Sequence, residues 1–155
     1  MVILTAKLSK PKLIGIVCAA AAVLIFIIVL ANRGSAADLQ ETAGKKLETP
    51  ESRVEFLTSA GYTVAQEPVR TQEVRIPEEF NEVYTQYNAI QQSQGFDLTK
   101  YQGKTIMQYV YQVENYPGEN SEPVYATLLL YKNKLIGADL SRGGTEGFLR
   151  PLLST

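Results

Sequence analysis

Hydrophobic and polar positions divide the chain into two unlike parts. Residues 13–31 contain no charged or strongly polar side chain. As a helix rising about 1.5 Å per residue, the run is roughly 28 Å long, close to the thickness of a bilayer core. Lipid offers the backbone no hydrogen-bond partners, so such a span must be helical. Lys7, Lys10 and Lys12 precede it, only Arg33 follows closely, and the first acidic residue is Asp38. Positive residues stay in the cytoplasm. The pattern therefore predicts a cytoplasmic tail over residues 1–12, a single span in membrane lipid over 13–31, and the rest of the chain outside the cell membrane. A cleaved export signal is the rival: Ser35-Ala36-Ala37 would make a cleavage site near Ala37. Signal cores, however, run only about 7–15 residues.

Residues 32–49 are small, polar and of mixed charge, and read as a stalk. One domain is expected over 50–155. Thr49-Pro50-Glu51 has the hydroxyl cap, first-turn proline and acid of a helix start. Val54, Phe56, Leu57 and Ala60 give that helix an apolar stripe, and Gly61 ends it. Residues 62–67 read as a short strand. Residues 72–76 read as another, with Val74 and Ile76 on one face and Glu73 and Arg75 on the other. Pro77-Glu78-Glu79 opens the longest helix, running to about Gln94. Its Phe80, Val83, Tyr84, Tyr87 and Ile90 recur at helical spacing and predict one buried face.

Residues 105–115 alternate, with Met107, Tyr109, Tyr111 and Val113 on one side, and residues 124–131 are apolar on both faces, as in a central strand. Lys132-Asn133 turns the chain into a strand over 135–140. Gly143 and Gly144 mark a loop before a short last helix over 146–149. The order α-β-β-α-β-β-β-α predicts an α+β fold: a mainly antiparallel sheet of about five strands with helices on one face.

Charge sharpens the division. Four of the 15 basic residues and none of the 16 acidic ones lie in residues 1–37, so 38–155 carry eleven basic against sixteen acidic, a net charge of −5. That opposes binding to nucleic acid or anionic lipid through charge. The chain has no histidine, and its one cysteine, Cys18, lies inside the apolar run. Metal sites built on those ligands, a disulfide within the domain, and Ser-His-Asp or Cys-His catalysis are excluded. No cofactor is expected.

Arg53-Val54-Glu55-Phe56-Leu57, Gly61-Tyr62, Ile76-Pro77-Glu78-Glu79-Phe80 and Tyr84 through Tyr87-Asn88 resemble a bacterial family, domain of unknown function 4830. Gly95-Phe96-Asp97-Leu98, Tyr101 with Gly103-Lys104, Asn115-Tyr116-Pro117 and Leu135-Ile136-Gly137-Ala138-Asp139 extend the likeness over about residues 50–153. The resemblance implies a short, singly anchored or exported protein of a Gram-positive bacterium. It carries over no catalytic residue.

Few residues suggest chemistry. Gly103-Lys104-Thr105 lacks the earlier glycine of a phosphate loop, since position 98 is Leu98, and it leads into a strand. Gly143-Gly144-Thr145-Glu146-Gly147 could offer amides to an anion, but a loop needing positive φ angles is the simpler account. Asp97, Glu114, Asp139 and Glu146 are the acids from which a catalytic carboxylate pair would have to come. Asp139 stands out, late in an otherwise apolar strand. Tyr116, Tyr125, Tyr131 and Asp139 form the candidate binding face. The expectation is a non-catalytic module that binds an envelope protein, peptide or wall component. The alternatives are a carboxylate-only hydrolase of envelope glycans and a membrane-embedded regulator or sensor subunit.

Overall fold

Alternation along residues 105–113 sets the architecture. In the computed structural model, which describes residues 42–117, 122–145 and 147–153, this stretch is strand β2, Thr105–Val113. The expected tail, membrane span, cleavage site and residues 32–41 of the stalk lie outside the described residues, as do Cys18 and Glu146. Among the described residues no helix is long and apolar enough to cross a membrane.

β1 (Arg70–Arg75), β2, β3 (Val124–Tyr131), β4 (Lys134–Arg142) and β5 (Phe148–Pro151) form one sheet in sequence order, each pair antiparallel. The fold is α+β. β3 is the middle strand, buried along most of its length, as its two-sided apolar pattern predicts. Lys132 and Asn133 join β3 to β4 with φ of 50° and 63°, the left-handed pair of a tight hairpin turn.

The helices sit on opposite faces of the sheet, not on one. Helix α1 (Pro50–Ser59) is closed at its start by a reciprocal pair: Ser52 N–H donates to Thr49 Oγ1 (3.2 Å) and Thr49 N–H to Ser52 Oγ (3.1 Å). It sends Phe56 and Leu57 into one core with Tyr111, Ala126, Leu128, Leu135 and Leu140. Helix α2 (Glu82–Gln92) lies over the other face, where Tyr84 and Tyr87 pack on Ile76, Leu98, Ile106, Leu129 and Ile136. A sheet apolar on both sides through β3 needs a cover on each, which a helix on one face alone does not supply.

Three further expectations give way. Residues 62–67 form no strand, only a bridge at Val64 to Val113; β1 already occupies the rest of that edge of β2. Residues 148–151 are a strand, not a helix, because four residues cannot sustain a helix and the β4 edge needs partners for its peptide groups. The stalk does not reach residue 49: Gly44 N–H donates to Leu135 O (2.8 Å), Leu47 N–H donates to Asn133 O (2.8 Å), and Leu47 is fully buried. Polar composition hid this edge pairing.

α2 also starts later than Pro77. Ile76 is still in the sheet, donating to Lys104 O (2.9 Å) and accepting from Gly103 N–H (2.9 Å), and the chain needs residues 77–80 to turn. Asn81 is the cap, its Oδ1 accepting from Tyr84 N–H (2.9 Å). Asn81→Ala should lower stability by about 1 kcal/mol, read as a shift in the urea midpoint with an unchanged slope. No shift would mean that water caps α2 equally well.

Candidate binding groove

α2 faces the sheet with polar as well as apolar side chains. Val83 is 72% exposed, and the buried positions are polar: Asn88, Gln91 and, just past the helix, Gln94. Asn88 Oδ1 accepts from Leu98 N–H (2.8 Å) and holds the 3₁₀ turn Leu98–Tyr101. Gln91 and Gln94 reach the β4 edge between the part paired by residues 44–47 and the part paired by β5. Ala138 N–H donates to Gln91 Oε1 (2.8 Å), and Gln94 Nε2 donates to Ala138 O (2.8 Å). Gln94 Oε1 also accepts from Leu152 and Leu153 N–H, both at 2.9 Å. Two glutamines thus complete a sheet edge. Gly137 permits the approach: a Cβ there would lie 3.1 Å from both Gln91 Oε1 and Leu129 Cδ1.

Held this way, α2 leaves a groove of about 470 Å³ between its flank and the sheet. Val83, Tyr84, Gln86, Tyr87 and Ile90 form the helix wall. Val74, Ile106, Gln108 and Leu129 form the floor, and Leu149 stands at an end. No lining residue is charged. Besides the Tyr84 and Tyr87 hydroxyls, the polar lining groups are the Gln86 and Gln108 amides, and Gln108 Oε1 already accepts from Gln72 Nε2 (2.6 Å). Two of the three large apolar side chains exposed among the described residues, Val83 and Leu149 (46% exposed), are part of it. The volume lies within the range of about 300–1,000 Å³ typical of ligand pockets.

Behind the Tyr87 wall lies Asp139, 4% exposed. Tyr87 Oη donates to its Oδ2 (2.7 Å), and Thr127, directly opposite on β3, is a second hydrogen-bond partner. Burial pushes the carboxyl up to about 6, against the pull of these two partners. The phenol of Tyr87 is driven upward by burial and by the nearby carboxylate. Gln91 Nε2 faces the Tyr87 hydroxyl without reaching hydrogen-bond geometry. No Lys or Arg acts on Asp139, so only these two hydrogen bonds offset its desolvation, and only in part.

The candidate face read from the sequence is not one surface. Tyr116 packs in the α1-side core against Phe148 (ring centroids 5.8 Å apart), with Arg150 over both rings. Tyr131 packs on Tyr101 (5.5 Å) on the α2 side. Tyr125 lies on β3 between Gln112 and Ser141. Asp139 alone adjoins the groove. The other acids serve locally. Asp97 caps the 3₁₀ turn, held below the usual carboxylate range chiefly by the Thr99 hydroxyl, which donates to it at 2.6 Å. Glu114 is exposed beyond β2 and donates its N–H to Thr63 O (2.9 Å). Asp139 therefore has hydroxyl partners and no carboxylate partner among the described residues.

Sequence reading missed Gln91, Gln94 and also Arg53, which is 6% exposed. The Arg53 guanidinium donates to Tyr111 Oη (3.1 Å) and Leu47 O (3.3 Å) and lies 4.0 Å from the Tyr109 ring centroid. No spacing signal separates such residues from exposed ones, because their partners are distant in sequence.

A family model, Domain of unknown function (DUF4830), matches residues 56–140. The match covers more than half of the chain, and the chain belongs to that family. No curated protein and no solved structure matches it.

Proposed function

We propose that this member of the family is a non-catalytic binding module, held outside the cytoplasm by the apolar segment 13–31, whose groove beside α2 takes an uncharged apolar segment of an envelope protein. The groove carries the reading. It is lined mainly by aliphatic and aromatic side chains and contains no charge, so a charged ligand would lose its water there and gain no partner. A peptide segment with apolar side chains on one face suits such a channel, and the Gln86 and Gln108 amides suit its polar groups. Support for the membrane location comes from residues 13–31 and the lysines before them. The absence of histidine and the isolation of Asp139 support a binding role over hydrolysis.

Val83→Asp tests the groove. The side chain is 72% exposed, so the change should leave stability within about 0.5 kcal/mol. It places a charge on the groove wall, and affinity for a neutral apolar peptide should fall at least about ten-fold in a calorimetric titration, the equivalent of about 1.4 kcal/mol. Unchanged affinity would remove the groove as the binding site.

A further inference from the structure

β1 forms one margin of the sheet, and no strand among the described residues pairs with its outer edge. Position 76 stands opposite 104, with Ile76 N–H donating to Lys104 O (2.9 Å), and the register continues as 74 opposite 106 and 72 opposite 108. Antiparallel alternation therefore points the peptide groups of Arg70, Gln72 and Val74 toward β2 and those of Thr71, Glu73 and Arg75 outward. Arg70 through Glu73 and Arg75 are exposed.

We propose that this edge pairs with the same edge of a second copy, antiparallel about a twofold axis at Val74. Only odd-numbered peptide groups face outward, so odd residues must bond odd residues across the axis. Within the strand that allows an axis on any residue from 70 to 75; one at 70 sets Arg70 against its own copy, and one at 71 pairs Thr71 with Thr71 and Arg70 with Gln72, with no charge contact. An axis at 73 sets Glu73 against its own copy, and an axis at 75 does the same to Arg75; like charges directly opposite are destabilising. An axis at 72 sets Glu73 against Thr71 and gains no charge contact. An axis at 74 sets Glu73 against Arg75 twice on the α1 side of the sheet, and Val74 against Val74 on the α2 side.

Edge charges of one sign keep strands apart; here the signs alternate so that one register attracts. Arg75 already bonds the exposed Glu78 (2.6 Å), and its guanidinium has donors left for a second carboxylate. Val74 also lines the groove, so the same axis brings two grooves together at their Val74 ends. The partner is a second copy because the strand's own charges complement themselves in this register.

Disulfide trapping of the full chain in membranes tests the pairing. Cys18, the single native cysteine, is first replaced by alanine. In the proposed register position 74 is a non-hydrogen-bonded pair with Cα atoms about 4.5 Å apart, within disulfide reach. Val74→Cys should give an oxidised dimer, and Gln72→Cys at least ten-fold less. Adding Glu73→Arg to Val74→Cys should lower the yield at least ten-fold, and adding Arg75→Glu to that variant should restore it. Equal cross-linking from positions 72 and 74, indifference to Glu73→Arg, or failure of the double reversal to rescue would each overturn the proposal. Contacts between apolar segments alone would not follow the charge reversal.

Discussion

Replacing Gln94 with leucine is expected to cost about 3–5 kcal/mol, enough to unfold much of the chain at 37 °C. The side chain is fully buried and serves four backbone groups: the carbonyls of Ile90 and Ala138 and the N–H groups of Leu152 and Leu153. Leucine fills a similar volume, so the loss reports the hydrogen bonds more than a cavity. Each buried peptide group left without a partner costs about 1–3 kcal/mol; Leu153 is only partly buried and contributes least. Denaturant melts of the full chain in mild detergent would measure the loss. Hydrogen exchange would locate it, with the amides of Leu152 and Leu153 losing protection first. A loss below about 1 kcal/mol would mean that water replaces the glutamine at the β4 edge.

Asp139→Asn is expected to stabilise the fold at pH 8 by about 2–3 kcal/mol, with little effect below pH 4. Burial raises the folded-state pKa from 3.8 to about 6. Between those values the unfolded chain releases the proton while the folded domain retains it, so the unfolded state binds fewer protons and stability falls as pH rises. Below about pH 4 both states are protonated and there is no penalty. Above about pH 6 both are ionised and the penalty is complete. Asparagine keeps an oxygen for the Tyr87 hydroxyl and never ionises, so the difference between variant and parent should grow across the interval from 4 to 6. Glu51 and Asp97 are shifted downward in the fold and act in the opposite sense, but the difference between the two proteins removes their contribution. A difference that does not change with pH would place Asp139 in contact with water.

The sheet was legible where side chains alternate or stay apolar. Met107, Tyr109, Tyr111 and Val113 keep to one face of β2, and β3 has apolar residues on both faces. Lys132-Asn133 makes the expected hairpin turn. Illegible elements were those whose cause lies elsewhere in the chain. Residues 148–151 become a strand because β4 needs an edge partner, and residues 44–47 join the domain for the same reason. The placement of α2 rests on Asn81 as its cap and on Gln91 and Gln94 bonding β4. A periodicity argument assigns the helix's apolar residues to the core, and that assignment put Val83 inside.

The groove exists because Val83 points outward while Phe80, Tyr84, Tyr87 and Ile90 are only partly buried. Had Phe80, Val83, Tyr84, Tyr87 and Ile90 all been buried, α2 would lie flush on the sheet. Instead polar side chains take the buried positions by satisfying backbone groups, and the apolar flank is left beside an apolar floor. Of the candidate residues, Asp139 alone lies beside this site; the sequence singled it out because an acid in an apolar strand must either find partners or remain protonated. The tyrosines gave no such signal, since a ring serves core and surface alike.

The account is tested most directly by methyl NMR of the full chain titrated with a neutral helical peptide of leucine, alanine and glutamine with blocked ends. Saturable shifts confined to Val83, Ile90, Leu129 and Leu149, and lost in Val83→Asp, are the predicted result. Absence of saturable shifts, or equal shifts at Leu57 and Leu128 in the α1-side core, would contradict it.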